Sequence, residues 1–329
     1  MGVQSHSPTK EVQSKLANQL ATREAYGTAL KELGDRNKNV VVLDADLSKS
    51  TKTNVFAKAH PDRFFNVGIA EQNLMGVAAG LAAAGKIPFV STFAMFATGR
   101  AFEQIRNSIC YPQLNVKIAA THAGLTVGED GASHQSIEDI AIMRALPNMT
   151  IIVPADPAET KQAIDFAAEF QGPVYIRLGR AAVPNIFGES YEFRLGKAAL
   201  LTDGTDVTLI ACGVMVAPAR HAAEQLISQG ISARVLDMAT IKPIDKEAII
   251  AAARDTGAIV TCEEHSIIGG LGGAVAEVLG ENFPVPLERV GVMDTFGESG
   301  TPNELLKKYN LTEEAIVAAA KKVVSRKKA

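Results

Sequence analysis

A chain of 329 residues, 47% hydrophobic and 21% charged, is long enough to bury two ordinary globular cores. Its net charge of −3 gives no electrostatic reason to expect nucleic acid, and the basic end, Lys321 to Lys328, reads as a solvated last turn and tail. The longest uncharged run, Gln72 to Gly85, falls short of the roughly 20 residues of a membrane span, and no apolar leader stands within Met1 to Lys15. Cys110, Cys212 and Cys262 are widely spaced without a CxxC pair, which excludes a Cys-built zinc site and fits a reducing compartment. The expectation is a soluble, cytoplasmic protein.

In chain order, the apolar spacing of Leu20, Tyr26, Ala29, Leu30 and Leu33 predicts a helix from about Leu16 to Gly34. Val40 to Leu43 is a β-branched run ending in Asp44-Ala45-Asp46, as for a buried parallel strand with polar groups at its C-terminal edge, where ligands of open α/β sheets sit. Phe64 to Asn66 reads as a short strand. Ile69 to Ala84 reads as a helix whose Ala and Gly residues permit close packing on other helices. Strands follow at Ile87 to Val90 and Val116 to Ala120, around an amphipathic helix from Gly99 to Ile109 with Arg100, Glu103 and Arg106 on one side. A loop from His122 to Ser136 leads into a helix to Ala145. Ile151 to Val153 and Val174 to Ile176 are strands flanking a helix, Pro157 to Phe170, with proline in its first turn.

Pro184 to Arg194 breaks the alternation and reads as a linker. A second strand–helix series follows, with strands near Val207, Ala233, Ala258 and Leu287 and helices near Val216, Lys246, Gly273, Asn303 and Thr312. The fold class is α/β: two consecutive α/β domains with mainly parallel sheets, over 14–185 and 196–329, joined by 186–195.

Three motif fragments are not the sites that their spelling suggests. Gly80 to Lys86 spells GxxxxGK, but Ile87 stands where a P-loop needs Ser or Thr. The Gly270 to Val275 string lacks the third glycine of a dinucleotide fingerprint and reads as a turn before a helix. His134 and Glu138 are four apart with no third ligand nearby, so a polar loop and helix cap outweigh a metal.

The informative stretch runs from Phe64 to Glu138. Glu71 leads an uncharged run, Phe93 and Phe96 follow, and a Gly-rich loop carries two His and an Asp. At Gly68-Ile69-Ala70-Glu71-Gln72-Asn73 and Gly128-Glu129-Asp130-Gly131-Ala132-Ser133-His134-Gln135 the chain resembles transketolase. The similarity extends to Pro154-Ala155-Asp156, Asp237-Met238 and Ile241 to Asp245. The Gly-Asp-Gly motif that anchors the diphosphate and metal of thiamine diphosphate in such enzymes does not occur. The chain therefore resembles the second subunit of a split transketolase, a pyrimidine-binding domain followed by the transketolase C-terminal domain.

The resemblance implies thiamine diphosphate as cofactor, with Mg2+ or Ca2+ bound mainly by a partner chain that carries the pyrophosphate-binding domain, in an α2β2 assembly. It implies transfer of a two-carbon ketol unit between sugar phosphates. Glu71 would hydrogen-bond the cofactor's aminopyrimidine, a task suited to a carboxyl whose pKa an apolar setting raises, although the helix dipole at its position favours the anion. Phe93 and Phe96 match the aromatics around that ring; Gly99 stands where the family often has Tyr. His122, Asp130 and His134 match residues that meet sugar hydroxyls and shuttle protons. Arg23, Ser50 and Arg180 match sugar-phosphate contacts, and Asp46 matches a residue near the cofactor. A 1-deoxyxylulose-5-phosphate synthase, a 2-oxo acid dehydrogenase β subunit and a non-catalytic stabilising partner are the rival readings. His122 and the His134-Gln135-Ser136-Ile137-Glu138 run look more like transketolase than either rival enzyme, and the retention of Glu71 together with the loop residues speaks against the non-catalytic partner.

Overall fold

The computed structural model describes residues 19–188 and 190–327, so the expected helix start at Leu16, residues 14–18 of the expected first domain and the last basic residue, Lys328, lie outside the described residues. Strands are β1 Gln19–Ala21, β2 Val40–Asp44, β3 Phe64–Asn66, β4 Ile87–Ser91, β5 Lys117–Ala120, β6 Thr150–Ile152, β7 Val174–Arg177, β8 Ala182–Pro184, β9 Ala199–Thr202, β10 Val207–Ala211, β11 Ala233–Asp237, β12 Thr240–Lys242, β13 Ile259–Ser266 and β14 Leu287–Val292. The principal helices are α1 Thr22–Arg36, α2 Glu71–Ala83, α3 Asp139–Arg144, α4 Pro157–Glu169, α5 Val216–Ile227, α6 Lys246–Thr256, α7 Leu271–Asn282, α8 Pro302–Lys308 and α9 Glu313–Val324.

Two sheets organise these elements. The first has the order β12-β6-β7-β5-β4-β2-β3 and is parallel except for β12. The second has the order β14-β13-β10-β11-β9 and is parallel except for β9. Alternate residues of a strand face opposite sides, and β2 uses both: Val40 and Val42 pack with Tyr26, Leu30 and Ile164 beneath α1 and α4, while Val41 and Leu43 pack with Leu74, Met75 and Ile105. Burial on both faces is why β2 reads as an unbroken β-branched run. No helix among the described residues is long and apolar enough to cross a membrane.

Several elements differ from the sequence expectation. Leu20 lies on no helical stripe. It sits in β1, 43% exposed, paired antiparallel with Val183 of β8. That pairing joins positions far apart in the chain, which local periodicity does not register, and it moves Pro184 out of the linker. The helix expected from Gly99 begins earlier and is wound wide, with π-type turns at Phe96–Arg100 and Ile105–Cys110 around one α turn, Phe102–Gln104. The Thr98 hydroxyl donates to the Ala94 carbonyl at 2.8 Å where the turns widen. The close helix packing expected of the small residues in α2 is not made at Gly76 and Gly80, where an added Cβ would meet no atom within 4 Å. Strands β9 and β12 were not anticipated, and β12 crosses the domain boundary: it comes from the second half of the chain yet pairs with β6 in the first sheet. Lys242 Nζ fastens it by donating to the carbonyls of Arg144 at 2.9 Å and Leu146 at 2.6 Å.

The strand expected near Ala258 runs on past its apolar residues. Glu263, Glu264 and His265 continue β13 and are buried. Glu263 accepts the amides of Leu271 and Gly272, both at 2.7 Å. The glycine string taken above as a turn thus wraps its own chain's carboxylate, and that helix N-terminus has no room for a phosphate.

A second buried acid cluster ties the linker to both domains. Asp156 caps α4 at the Glu159 amide (2.8 Å) and also accepts the amides of Ile186 and Phe187 at 2.7 and 2.8 Å. Glu159 accepts the Ala155 amide at 2.7 Å and the Tyr191 hydroxyl, and Asp237, at the end of β11, is buried near it with both carboxylate oxygens lacking a donor among the described residues. Burial, then the neighbouring carboxylates, push Asp237 well above the usual carboxylate range, and burial pushes Glu159 up to about 7. The folded chain therefore holds protons here that the unfolded chain has released, so this contribution to stability is lost as pH rises through the folded pKa. Asp237→Asn supplies a permanent donor to Glu159. Thermal melts should show the variant gaining on the parent as pH is raised from about 6 to about 9; a pH-independent difference would mean that no proton is shared.

Candidate active site

The residues singled out from the sequence gather at the C-terminal edges of β2, β4, β5 and β7, where a parallel sheet opens toward its ligands. After β4 the chain places Phe93 and Phe96, whose rings lie 5.8 Å apart and 16° from parallel. After β5 it places His122 at φ +57°, its ring stacked on Phe93 at 3.8 Å. His134, from the loop, sets its ring edge against Phe96 at 5.2 Å and Phe93 at 6.2 Å. The result is one aromatic block. Phe93 is buried within it, whereas Phe96 lines a cleft of about 470 Å³ with Met95, Arg100, Ala132, Ser133, Gln135, Glu138 and Phe296. Of the two aromatics expected to meet a cofactor ring, Phe96 is the one that faces open volume.

Glu71 is the first residue of α2 and is 3% exposed. Its surroundings are not purely apolar, contrary to expectation. Arg100 Nη1 donates to its Oε1 at 2.9 Å, and the same guanidinium lies 4.8 Å over the Phe96 ring. Arg100 had been read only as the polar side of a helix. The widened turn brings it round to join the acid to the cleft.

A cationic corner forms on the other side of the block. Arg23 Nη1 donates to the Ser50 carbonyl at 2.9 Å and lies 3.1 Å from His122 Nε2. Arg can only donate, so Nε2 accepts, and Nδ1 carries the hydrogen toward Thr121 Oγ1 at 2.8 Å. Neither ring nitrogen of His122 is left over for a sugar hydroxyl, which departs from the role expected of it. Burial first, then the charges of Arg23, Arg180, His134 and Lys52, depress its pKa to about 3. Ser50 joins through its carbonyl rather than its hydroxyl. Lys52, paired with Glu24 at 2.8 Å, belongs to this corner although nothing in the local sequence marked it. Arg23 Nε is buried without an acceptor among the described residues. Guanidinium donors in excess of nearby acceptors make a site for an anion.

Arg180 donates to the Val127 carbonyl and lies 3.4 Å from Glu129 and 3.8 Å from Asp130. Asp130 is thus held beside Arg180 at the rim. Asp46 stands apart: its hydrogen bonds go to Asn66, at 2.9 and 3.1 Å, and none joins it to the aromatic block. Among the described residues no group of three or more His, Cys, Asp or Glu side chains is placed to hold a metal ion.

The aromatic wall, the buried carboxyl one hydrogen bond from it and the cationic corner suit a flat heterocycle and an anion. The His122 geometry carries its own test. Its imidazole nitrogens, followed by NMR, should stay neutral down to about pH 4, far below the ordinary histidine value of about 6.5. Titration near 6.5 would mean that the Arg23 contact is not kept in solution.

Residues 18–185 match the family described as "Transketolase, pyrimidine binding domain", and residues 196–316 match "Transketolase, C-terminal domain". The chain is 57% identical to a "Putative transketolase C-terminal section" of Methanocaldococcus jannaschii, over 89% of this chain and 93% of that one. It is 48% identical to the "6-deoxy-6-sulfo-D-fructose transketolase subunit SqwH" of Clostridium sp., over 93% and 95%. Matching mammalian transketolases are spanned over half their own length. A solved structure described as "Split gene transketolase, inactive beta4 tetramer" superposes with a TM-score of 0.89 at 63% identity, over 94% of this chain and all of that one.

Proposed function

The chain belongs to the transketolase family, as its pyrimidine-binding and C-terminal domains, and on that premise we propose that it is the catalytic partner subunit of a two-chain, thiamine diphosphate-dependent ketol transferase. The observation that carries this reading is the buried Glu71 carboxylate beside the Phe96 cleft. Thiamine diphosphate, when bound, supplies the carbon nucleophile that attacks the ketose carbonyl and the sink for the electron pair left when the ketose C–C bond breaks.

This chain's residues hold and feed that chemistry. Phe96 offers its face to the pyrimidine. Glu71 shares a proton with a ring nitrogen, and Arg100 fixes the carboxyl's orientation. His134, at the edge of the aromatic wall, gives and takes protons at substrate oxygens. Asp130 accepts from sugar hydroxyls at the rim. Arg23 and Arg180 take the terminal phosphate of the sugar, with His122 as the neutral spacer that positions Arg23. The diphosphate and its Mg2+ or Ca2+ are assigned to the other chain. The bare face of α2 and β3 supports a partner there: Phe65, Ile69 and Val77 are exposed, Ile69 by 80%, beside the open glycines 76 and 80. We assign the pair to an α2β2 assembly on the family resemblance, with self-association of this chain when the partner is missing.

Activity should need both chains. Calorimetry of the isolated chain with cofactor and magnesium should give no tight binding, and the isolated chain should not turn over; micromolar affinity or any turnover would refute the two-chain reading. In the reconstituted complex, Glu71→Ala should lower transfer on the order of a hundredfold or more, the usual loss for a positioned acid–base group. Near-parental activity would move the proton to another residue.

The arginines make a separate prediction. Arg23→Ala and Arg180→Ala should raise KM for phosphorylated sugars far more than they lower kcat, the pattern of lost uniform binding. Glycolaldehyde, which has no phosphate, should be nearly unaffected. Arg23 also holds His122, and Arg180 the Val127 carbonyl. Equal losses with both acceptors would therefore mean that these arginines support structure rather than phosphate.

A further inference from the structure

The loop of residues 122–136 rests on the second domain at several independent points. Gly124, Gly128 and Gly131 adopt φ of +81°, +85° and +76°, a region that glycine enters without strain. A Cβ on Gly124 would lie 2.3 Å from Glu264 Cδ, and one on Gly131 would lie 2.7 Å from Ser299 Oγ. From the opposite side, a Cβ on Gly297 would meet Gln135 Oε1 at 1.9 Å. Gln135 Nε2 donates to the Glu298 carbonyl at 2.9 Å and to the loop's own carbonyls at Leu125 and Gly128. Glu264 makes the most direct contact. Its side chain is buried, its Oε1 accepts the Thr126 amide at 2.5 Å, and its own carbonyl accepts Arg177 Nη2 at 2.9 Å.

Resting on the reading of this loop as the sugar-binding wall, we propose that the second domain is the mould of the loop and that Glu264 is a positioning residue for substrate. By holding the Thr126 amide it fixes where Asp130 and His134 stand relative to the Phe93–Phe96 block. Glu263, the neighbouring acid, does not duplicate this role, because its two oxygens already accept the amides of Leu271 and Gly272. Burial raises the Glu264 carboxyl to about 7, with Arg177 opposing. Either protonation state keeps an oxygen that accepts an amide, so glutamine is a faithful replacement. Leucine fills similar volume and removes only the acceptor. Gly297→Ala displaces Gln135 from the second domain without touching Glu264.

Two measurements on the full chain decide this. Hydrogen exchange needs no activity. Glu264→Leu and Gly297→Ala should each speed exchange across residues 124–136 by about tenfold or more, while β4 and β5 stay protected, and Glu264→Gln should match the parent. In the complex with the partner subunit and thiamine diphosphate, Glu264→Leu should raise KM for a ketose phosphate about tenfold with cofactor affinity unchanged, and Glu264→Gln should restore it. Parental exchange in the leucine variant, equal losses for leucine and glutamine, or faster exchange throughout the chain would overturn the proposal. Should the parental complex show no ketol transfer, the proposed activity falls, and the exchange pattern alone still decides whether the second domain moulds the loop.

Discussion

One buried ion pair fixes the relation among loop, sheet and second domain. Arg177, on β7, donates through Nε to Asp139 Oδ2 at 2.8 Å and through Nη2 to Oδ1 at 3.2 Å, to the Ser136 carbonyl at 3.3 Å and to the Glu264 carbonyl at 2.9 Å. Tyr175 donates to the same carboxylate at 2.7 Å. Burial alone would push Asp139 upward, but Arg177, His265 and Tyr175 together hold it below the ordinary carboxylate range. Removing one member of such a pair strands the other without solvent, a loss of about 3–5 kcal/mol. Its location makes it consequential. It joins the end of the 122–136 loop, the start of α3 and strand β13 of the other sheet, so the loop's exit is fixed at the point where the domains meet.

That constraint explains why the second sheet bears on a site it does not build. The Glu71, Phe96 and His122 side chains all come from the first sheet's edge. The second domain reaches the same region through Glu264 beneath the loop, Phe296 at the cleft and 297–302 against Gln135 and the loop glycines. The interlock runs in both directions, since β12 leaves the second half of the chain to complete the first sheet. The two halves are thus mutually dependent, and the polar residues that bridge them are satisfied by backbone groups of the other half, as burial requires.

The local features were legible in sequence because their causes are local. A β-branched run, a proline-led helix and the alternation of strands with helices gave the α/β class and most elements of both sheets. Glu71, Phe96, His134, Arg23 and Arg180 were singled out through the resemblance to a family, without which the two arginines would read as ordinary surface residues. Where the reading failed, a long-range contact had overridden a local signal. Leu20 left its helical stripe to pair with Val183. Arg100 turned toward Glu71 because two wide turns changed the phase of its helix. His122 lost both ring nitrogens to Arg23 and Thr121.

The sequence by itself determined the class of fold and the sites of most strands and helices, since composition and spacing act within a few residues. Tertiary structure alone decided which of them touch. Lys52, Arg100, Glu264 and Phe296 carried no local mark, and their placement follows from strand order, a slipped helical ladder and a domain interface. These arise from pairings across tens to hundreds of positions, and no pattern within one element encodes the partner that closes them.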